Sequence, residues 1–196
     1  MYHKHHTKGI VAYGMNEGDD SRRVWVFTED FGLISAKVQG SRKSISRLRL
    51  GTQDFSSGSF SLVKGKMGWR LVGANIDNNF FEDLRFSKSR LSIAKNVLSF
   101  INKNIGMEEE NKPLFKMILD FFCFLKSTDE SKGPLAECLI MLRIIHNLGF
   151  LKHDPEFSLH LSISDLNDNE LELIAPKKKK MIELINESMK SAEFFV

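Results

Sequence analysis

Cysteine is almost missing from this sequence, and its scarcity settles several questions at once. Only Cys123 and Cys138 occur among 196 residues, with no Cys-x-x-Cys pair near either, so neither a disulfide framework nor a four-cysteine zinc site can be built. Both sit in apolar helical patterns and are expected as buried thiols in a reducing cytoplasm. Long apolar runs are missing as well. The greasiest stretch, Leu114 to Leu125, is broken by Lys116 and Asp120 and falls short of the roughly 20 residues that cross a bilayer; it reads as a core helix, and no membrane partner is expected. The opening MYHKHHTKG enters a strand pattern without the roughly 7 to 15 apolar residues of an export signal. No P-loop, dinucleotide glycine fingerprint, Gly-x-Ser-x-Gly or His-Glu-x-x-His is present. Asp19-Asp20 and Glu108-Glu109-Glu110 lack the separated, strand-borne third carboxylate of a Mg²⁺ nuclease site and read as solvated loops. The expectation is a chain with no cofactor, no metal and no enzymatic activity.

What is present is an ordinary folded composition, 42% apolar and 27% charged, with its positive charge unevenly placed. The net charge is only +3, yet residues 1 to 70 hold twelve Lys and Arg against six Asp and Glu, while the remainder holds sixteen against nineteen. From Lys37 to Arg70, the cations Lys37, Arg42, Lys43, Arg47, Arg49, Lys64, Lys66 and Arg70 face one acid, Asp54. Between Lys37 and Arg49 there are no acids, and serines and a glycine lie among the cations. Phosphates need cations on a surface free of carboxylates, so a polyanion is the natural partner.

The first third of the chain has the two-residue period of strands. Thr7 to Tyr13, Arg23 to Thr28, Leu33 to Val38, Ser59 to Lys64 and Trp69 to Ala74 predict five short strands. Glu29-Asp30-Phe31-Gly32 predicts a tight hairpin in which glycine supplies a positive φ. The longest interruption, Gln39 to Gln53, falls between the third and fourth strands, where a five-stranded oligonucleotide-binding (OB) barrel has its long connection. Five strands alone also fit an SH3-like barrel. From Asn79 the period turns helical: one long or two shorter helices to Asn104, a second over Lys112 to Lys126, and a third over Leu135 to Leu148 that stops at Gly149. The third is apolar on nearly every side and should be central, with the Lys112 to Lys126 helix covering it. Beyond Pro155 the pattern weakens. Ser158 to Ser164 reads as extended, Ser164 or Asp165 as a cap, and Pro176 to Phe194 as a helix with Ile182, Ile185 and Met189 on one stripe.

Several features have a bland and a functional reading. Trp25, Phe27, Phe31, Phe60 and Trp69 are mostly core by pattern; Trp69, between Gly68 and Arg70 at a hairpin end, is the candidate for stacking on a base. His3, His5 and His6 read as a frayed terminus, and His146 as a hydrogen-bonded core histidine. The run Lys177 to Lys180 opens a helix, where the dipole disfavours cations; it is a solvated face or a secondary contact to phosphate or a partner.

The stretch from Thr7 to Arg49 is similar to the start of RecO proteins: a strand, a loop with Glu17, an apolar strand ending in Val26-Phe27-Thr28-Glu29, a turn at Gly32, and the basic segment Gly40-Ser41-Arg42-Lys43. Leu142 to Phe150 (LRIIHNLGF) resembles the same family's buried helix with its Leu-Gly-aromatic ending. The resemblance implies an α+β chain, an OB barrel over 1–78 followed by an all-helical domain over 79–196. It also implies binding of single- and double-stranded DNA, strand annealing, and loading of the RecA recombinase with RecR and single-stranded-DNA-binding protein. Many members carry a four-cysteine zinc module that this chain cannot form. From charge and position, the DNA contacts are expected from Lys37, Arg42, Lys43, Arg47, Arg49, Lys64, Lys66, Trp69 and Arg70. A protein-binding adaptor working through the helical domain, and an RNA-binding module, are the alternatives.

Overall fold

A computed structural model describes residues 3–39, 48–162 and 166–194. The chain divides into two compact units, Met1–Asp83 with Ile105–Phe115, and Leu84–Asn104 with Lys116–Val196. The first is a closed barrel of five strands in the order β1-β2-β3-β5-β4, formed by β1 (Lys4–Glu17), β2 (Ser21–Thr28), β3 (Gly32–Gln39), β4 (Ser56–Gly65) and β5 (Gly68–Asn79). All five predicted strands are found, each longer than its apolar core suggested, because polar residues continue the ladders beyond the buried positions. A short helix, α1 (Leu48–Gly51), precedes β4.

Strand β1 serves two neighbours: its first half pairs with β4 and its second half with β2. The barrel closes where β3 and β5 run parallel through Ala36 with Trp69 and Lys37 with Arg70. This is the OB order, with the long connection between β3 and β4 as expected. Alternation fills the interior with Val24, Val26, Ile34, Ala36, Val38, Phe60, Leu62, Trp69 and Leu71. The predicted hairpin holds: Gly32 has φ +61°, and the Thr28 hydroxyl donates to the Gly32 carbonyl at 2.8 Å while accepting from the Phe31 N–H at 3.1 Å.

The returning segment Ile105–Phe115 packs on the outside of this barrel. The Glu108 N–H donates to the Leu33 carbonyl at 2.8 Å, Lys112 pairs with Asp30 at 3.1 Å, and the Phe115 ring meets Phe27 at 5.8 Å between centroids. The acidic triplet is an exposed loop, as expected, with its backbone tied to the barrel at Glu108. The histidines are not a frayed end: His5 lies in β1, its ring edge-on to Phe31 and Trp69 at 5.3 and 5.5 Å, and Ser61 Oγ is 3.1 Å from His6 Nδ1.

The chain continues through α2 (Phe80–Leu84), α3 (Lys88–Asn104), α4 (Lys112–Ser127), α5 (Gly133–Asn147), α6 (Ser158–Ser162), α7 (Asp168–Ile174) and α8 (Lys178–Ser191). Ser87 separates α2 from α3 by capping: its Oγ accepts from the Arg90 N–H at 3.1 Å. Helix α5 is central in the helical unit, with Leu139, Leu142, Ile144 and Ile145 all fully buried. Its closest neighbours are α8 and α3 rather than α4, and Gly133 lets the Ile93 side chain of α3 come close. It ends at Gly149 with φ +80°, a left-handed stop. Among the described residues no helix is long and apolar enough to cross a membrane.

The structure corrects several expectations in this half. Cys123 is exposed on α4 and Cys138 only half-buried, where burial pushes its thiol up. His146 is exposed, and the buried polar residue of α5 is Arg143. Residues 158–162 are helical, not extended, and the cap of α7 is Asn167, whose side chain accepts from the Glu170 N–H. The buried stripe of α8 is Met181, Ile185 and Ser188, one position round from the predicted one, which leaves Ile182 38% exposed.

Candidate nucleic-acid interface

Strand alternation that sends Val24, Ala36, Val38, Trp69 and Leu71 inward sends Arg23, Lys37 and Arg70 outward. Register aligns these three. Arg23 of β2 is opposite Lys37 of β3, and Lys37 is paired with Arg70 of β5. Neighbouring strands are about 5 Å apart, so the row crosses the barrel's closing seam within a short span. Arg23 was not singled out by sequence, because only the fold brings it beside Lys37.

Glu17, at the end of β1, organises the row. Its carboxylate accepts from Arg23 at 2.9 Å and lies 3.9 Å from Lys37. The Arg23 hydrogen bond, with lesser attraction from Lys37, holds this carboxyl below its usual range. Arg23 also donates to Ser35 Oγ at 3.4 Å. The next arginine, Arg22, turns the other way and pairs with Asp54 at 2.7 Å. Burial pushes Asp54 up, against the pull of Arg22.

The β4–β5 hairpin carries two more of the expected cations. Lys66 sits at the exposed tip beside Met67, which is 97% exposed. Among the described residues no carboxylate pairs with Lys66 or Arg70. Lys64 differs: its ammonium pairs closely with Glu108 and lies over the Trp69 ring, 5.2 Å from the centroid. Trp69 itself is 5% exposed and belongs to the barrel core, so its ring has no open side for a base. Arg49 is exposed on α1, and Arg42, Lys43 and Arg47 lie outside the described residues.

A stacking pair exists elsewhere on the barrel. Tyr13 and Trp25 lie parallel, with ring centroids 4.3 Å apart and planes 9° from one another, and both are half-buried. Phe27 and Phe60 are fully buried, as the pattern suggested. Trp25 is the exception that the apolar spacing concealed. In the helical unit, two of the four successive lysines are held by acids: Lys180 by Asp154 and Glu156 at 2.8 and 2.6 Å, and Lys177 by Glu156 at 3.8 Å. Lys178 and Lys179 are exposed.

The family model described as "Recombination protein O N terminal" matches residues 1–73, which is the barrel as far as the middle of β5. The curated relatives include "DNA repair protein RecO" of Acetivibrio thermocellus, 28% identical over 144 residues, covering 74% of this chain and 57% of that one. The protein of the same name from Clostridium perfringens strain 13 is 31% identical over 142 residues, covering 72% and 57%. That of Heliobacterium modesticaldum is 27% identical over 159 residues, covering 81% and 55%. The chain thus spans little more than half the length of these curated relatives. Because each alignment is far longer than the barrel, the similarity continues into the helices. With the OB strand order, the family match laid over that barrel and this continuation all in agreement, the chain belongs to the RecO family of DNA repair proteins.

Proposed function

We propose that this chain is a non-catalytic DNA-binding factor in recombination and repair that holds phosphates on the outer face of its barrel. The observation that carries this reading is the row Arg23, Lys37 and Arg70, aligned across adjacent strands and continued at the β4–β5 tip by Lys66. In the sequence, β3 is followed by four further cations, Arg42, Lys43, Arg47 and Arg49. Cations aligned in this way neutralise phosphates and release condensed counterions, which drives binding to single and double strands alike. Two complementary strands repel one another, and a surface that neutralises both lowers the barrier to annealing. In the finer form of the reading, a RecR-like protein and single-stranded-DNA-binding protein are partners, and RecA is loaded on the bound strand. No step requires a catalytic group.

Filter binding of single-stranded DNA, duplex DNA and RNA at two salt concentrations tests the reading. With four cations engaged on a single strand, affinity should fall roughly 50-fold from about 50 to about 200 mM salt. Absence of DNA binding, or binding indifferent to salt, overturns it.

A further inference from the structure

We infer that the outward Tyr13–Trp25 pair is a stacking platform for an unpaired base, and that it makes the barrel discriminate single-stranded DNA from duplex. The inference rests on the nucleic-acid reading above and adds to it a site for the base itself.

The placement of the pair begins with a bulge. The register of β1 with β2 passes from Val11 opposite Val26 to Tyr13 opposite Trp25, which leaves Ala12 as an extra residue. A bulge of this kind re-aims the side chain that follows it, and here it sets Tyr13 directly across from Trp25. Val24 and Val26 on either side of Trp25 belong to the interior cluster, and neither Tyr13 nor Trp25 does. The indole therefore stands on the outer face of β2. Further along that face, Phe27 is covered by Phe115 and has no exposure. Trp25 keeps part of its surface in solvent.

The surroundings select the ligand. Arg23 lies two residues along the same strand, about 7 Å away, and Ser35 is directly opposite Trp25 on β3. Lys37 and Arg70 follow across the seam. A flat apolar ring pair beside a row of cations suits a flat apolar ring attached to an anion. Single-stranded DNA offers that combination at every nucleotide, and stacking tolerates any sequence because every base has a π-face. A duplex offers the phosphates but hides its base faces. Strand β2, which carries Trp25, is also one of the two strands on which OB barrels commonly bind oligonucleotides.

The test uses the full chain and its two tryptophans. In a Trp69→Phe background Trp25 is the sole indole, and saturating oligothymidylate should quench its emission with the affinity found by filter binding. Replacing Trp25 with leucine in the otherwise native chain should weaken oligothymidylate binding at least about fivefold. Its affinity for duplex and its salt slope should stay within twofold of native, and Trp25→Phe, which keeps a ring, should recover most of the loss. Unchanged Trp25 emission at saturation overturns the platform. So does a folded Trp25→Leu protein that distinguishes single strand from duplex as the native chain does, or a folded Trp25→Phe protein that binds oligothymidylate no better than Trp25→Leu. In those cases a salt-dependent loss in Lys37→Glu with Arg70→Glu still supports the nucleic-acid reading, whereas a native chain that binds no DNA sinks both.

Discussion

The ion pair buried in the helical unit gives the sharpest stability prediction. Asn167 caps α7 and places Glu170 in its first turn, from which the carboxylate turns inward to Arg143 at 2.5 Å. The two side chains are 4% and 2% exposed. Arg143 Nε also donates to the His160 carbonyl at 2.9 Å, and His160 Nδ1 is 3.7 Å from the same Glu170 oxygen. Replacing Glu170 with alanine removes the buried carboxylate that meets this guanidinium, a loss of about 3 to 5 kcal/mol. Against a usual total of about 5 to 15 kcal/mol this is severe, and in a chain of this size it lowers the melting temperature by roughly 6 to 20 °C. Removing both charges, as in Arg143→Met with Glu170→Leu, should restore most of the loss, because desolvating two ions offsets much of their attraction. Urea unfolding followed by far-UV circular dichroism reads the helices directly. A Glu170→Ala protein within about 1 kcal/mol of native, or a double variant less stable than the single one, refutes the reasoning.

Three further outcomes follow from the barrel. Lys37→Glu with Arg70→Glu should abolish most DNA binding at moderate salt while leaving the melting curve unchanged, since both side chains are largely outside the core; filter binding and calorimetry check this, and native affinity would move the site elsewhere. Glu108→Gln frees Lys64, so DNA affinity should rise and the single-strand salt slope should steepen by about 0.7; an unchanged slope would mean that Lys64 faces no phosphate. Gly32→Ala forces a Cβ to 2.0 Å from the Glu109 carbonyl oxygen at φ +61°, so it should destabilise by more than about 1 kcal/mol in urea unfolding, and a neutral result would show that the Ile105–Phe115 segment is held by other contacts.

Much of the barrel was legible because strands with one buried face write their period into the sequence. Ile34, Ala36 and Val38, or Phe60 and Leu62, could hardly be arranged otherwise. The hairpin at Gly32 and the stop at Gly149 were legible for a different reason, since a positive φ narrows the choice of residue. What the period could not reveal was register. Arg23 meets Lys37, and Tyr13 meets Trp25, only through pairings between strands, one of them shifted by a bulge that no local pattern announces. The helical half failed where a helix is too greasy to show a face. On α5 nothing in the spacing separates buried Arg143 from exposed His146, because the polar partner that justifies burial lies at Glu170, far along the chain. Trp69 misled in the opposite way: flanking glycine and arginine suggested a surface ring, while alternation with Arg70 and Leu71 fixed it inside.

The arrangement of acids on the barrel bears on how such a surface would release what it binds. Glu17 is held by Arg23 with Lys37 near, and Glu108 by Lys64. All are surface pairs, and pairs in water add little to stability. Their effect is geometric: Glu17 ties Arg23 with Lys37 beside it, and Glu108 ties Lys64. A bound phosphate then competes with a tethered carboxylate as well as with free counterions. The tethered competitor is not diluted away at low salt, so it limits affinity under the conditions where counterion release is strongest. A surface designed only to hold DNA would do better without Glu17 and Glu108. One that must take up a strand and then hand it on gains from both, because each returning carboxylate helps to displace the strand.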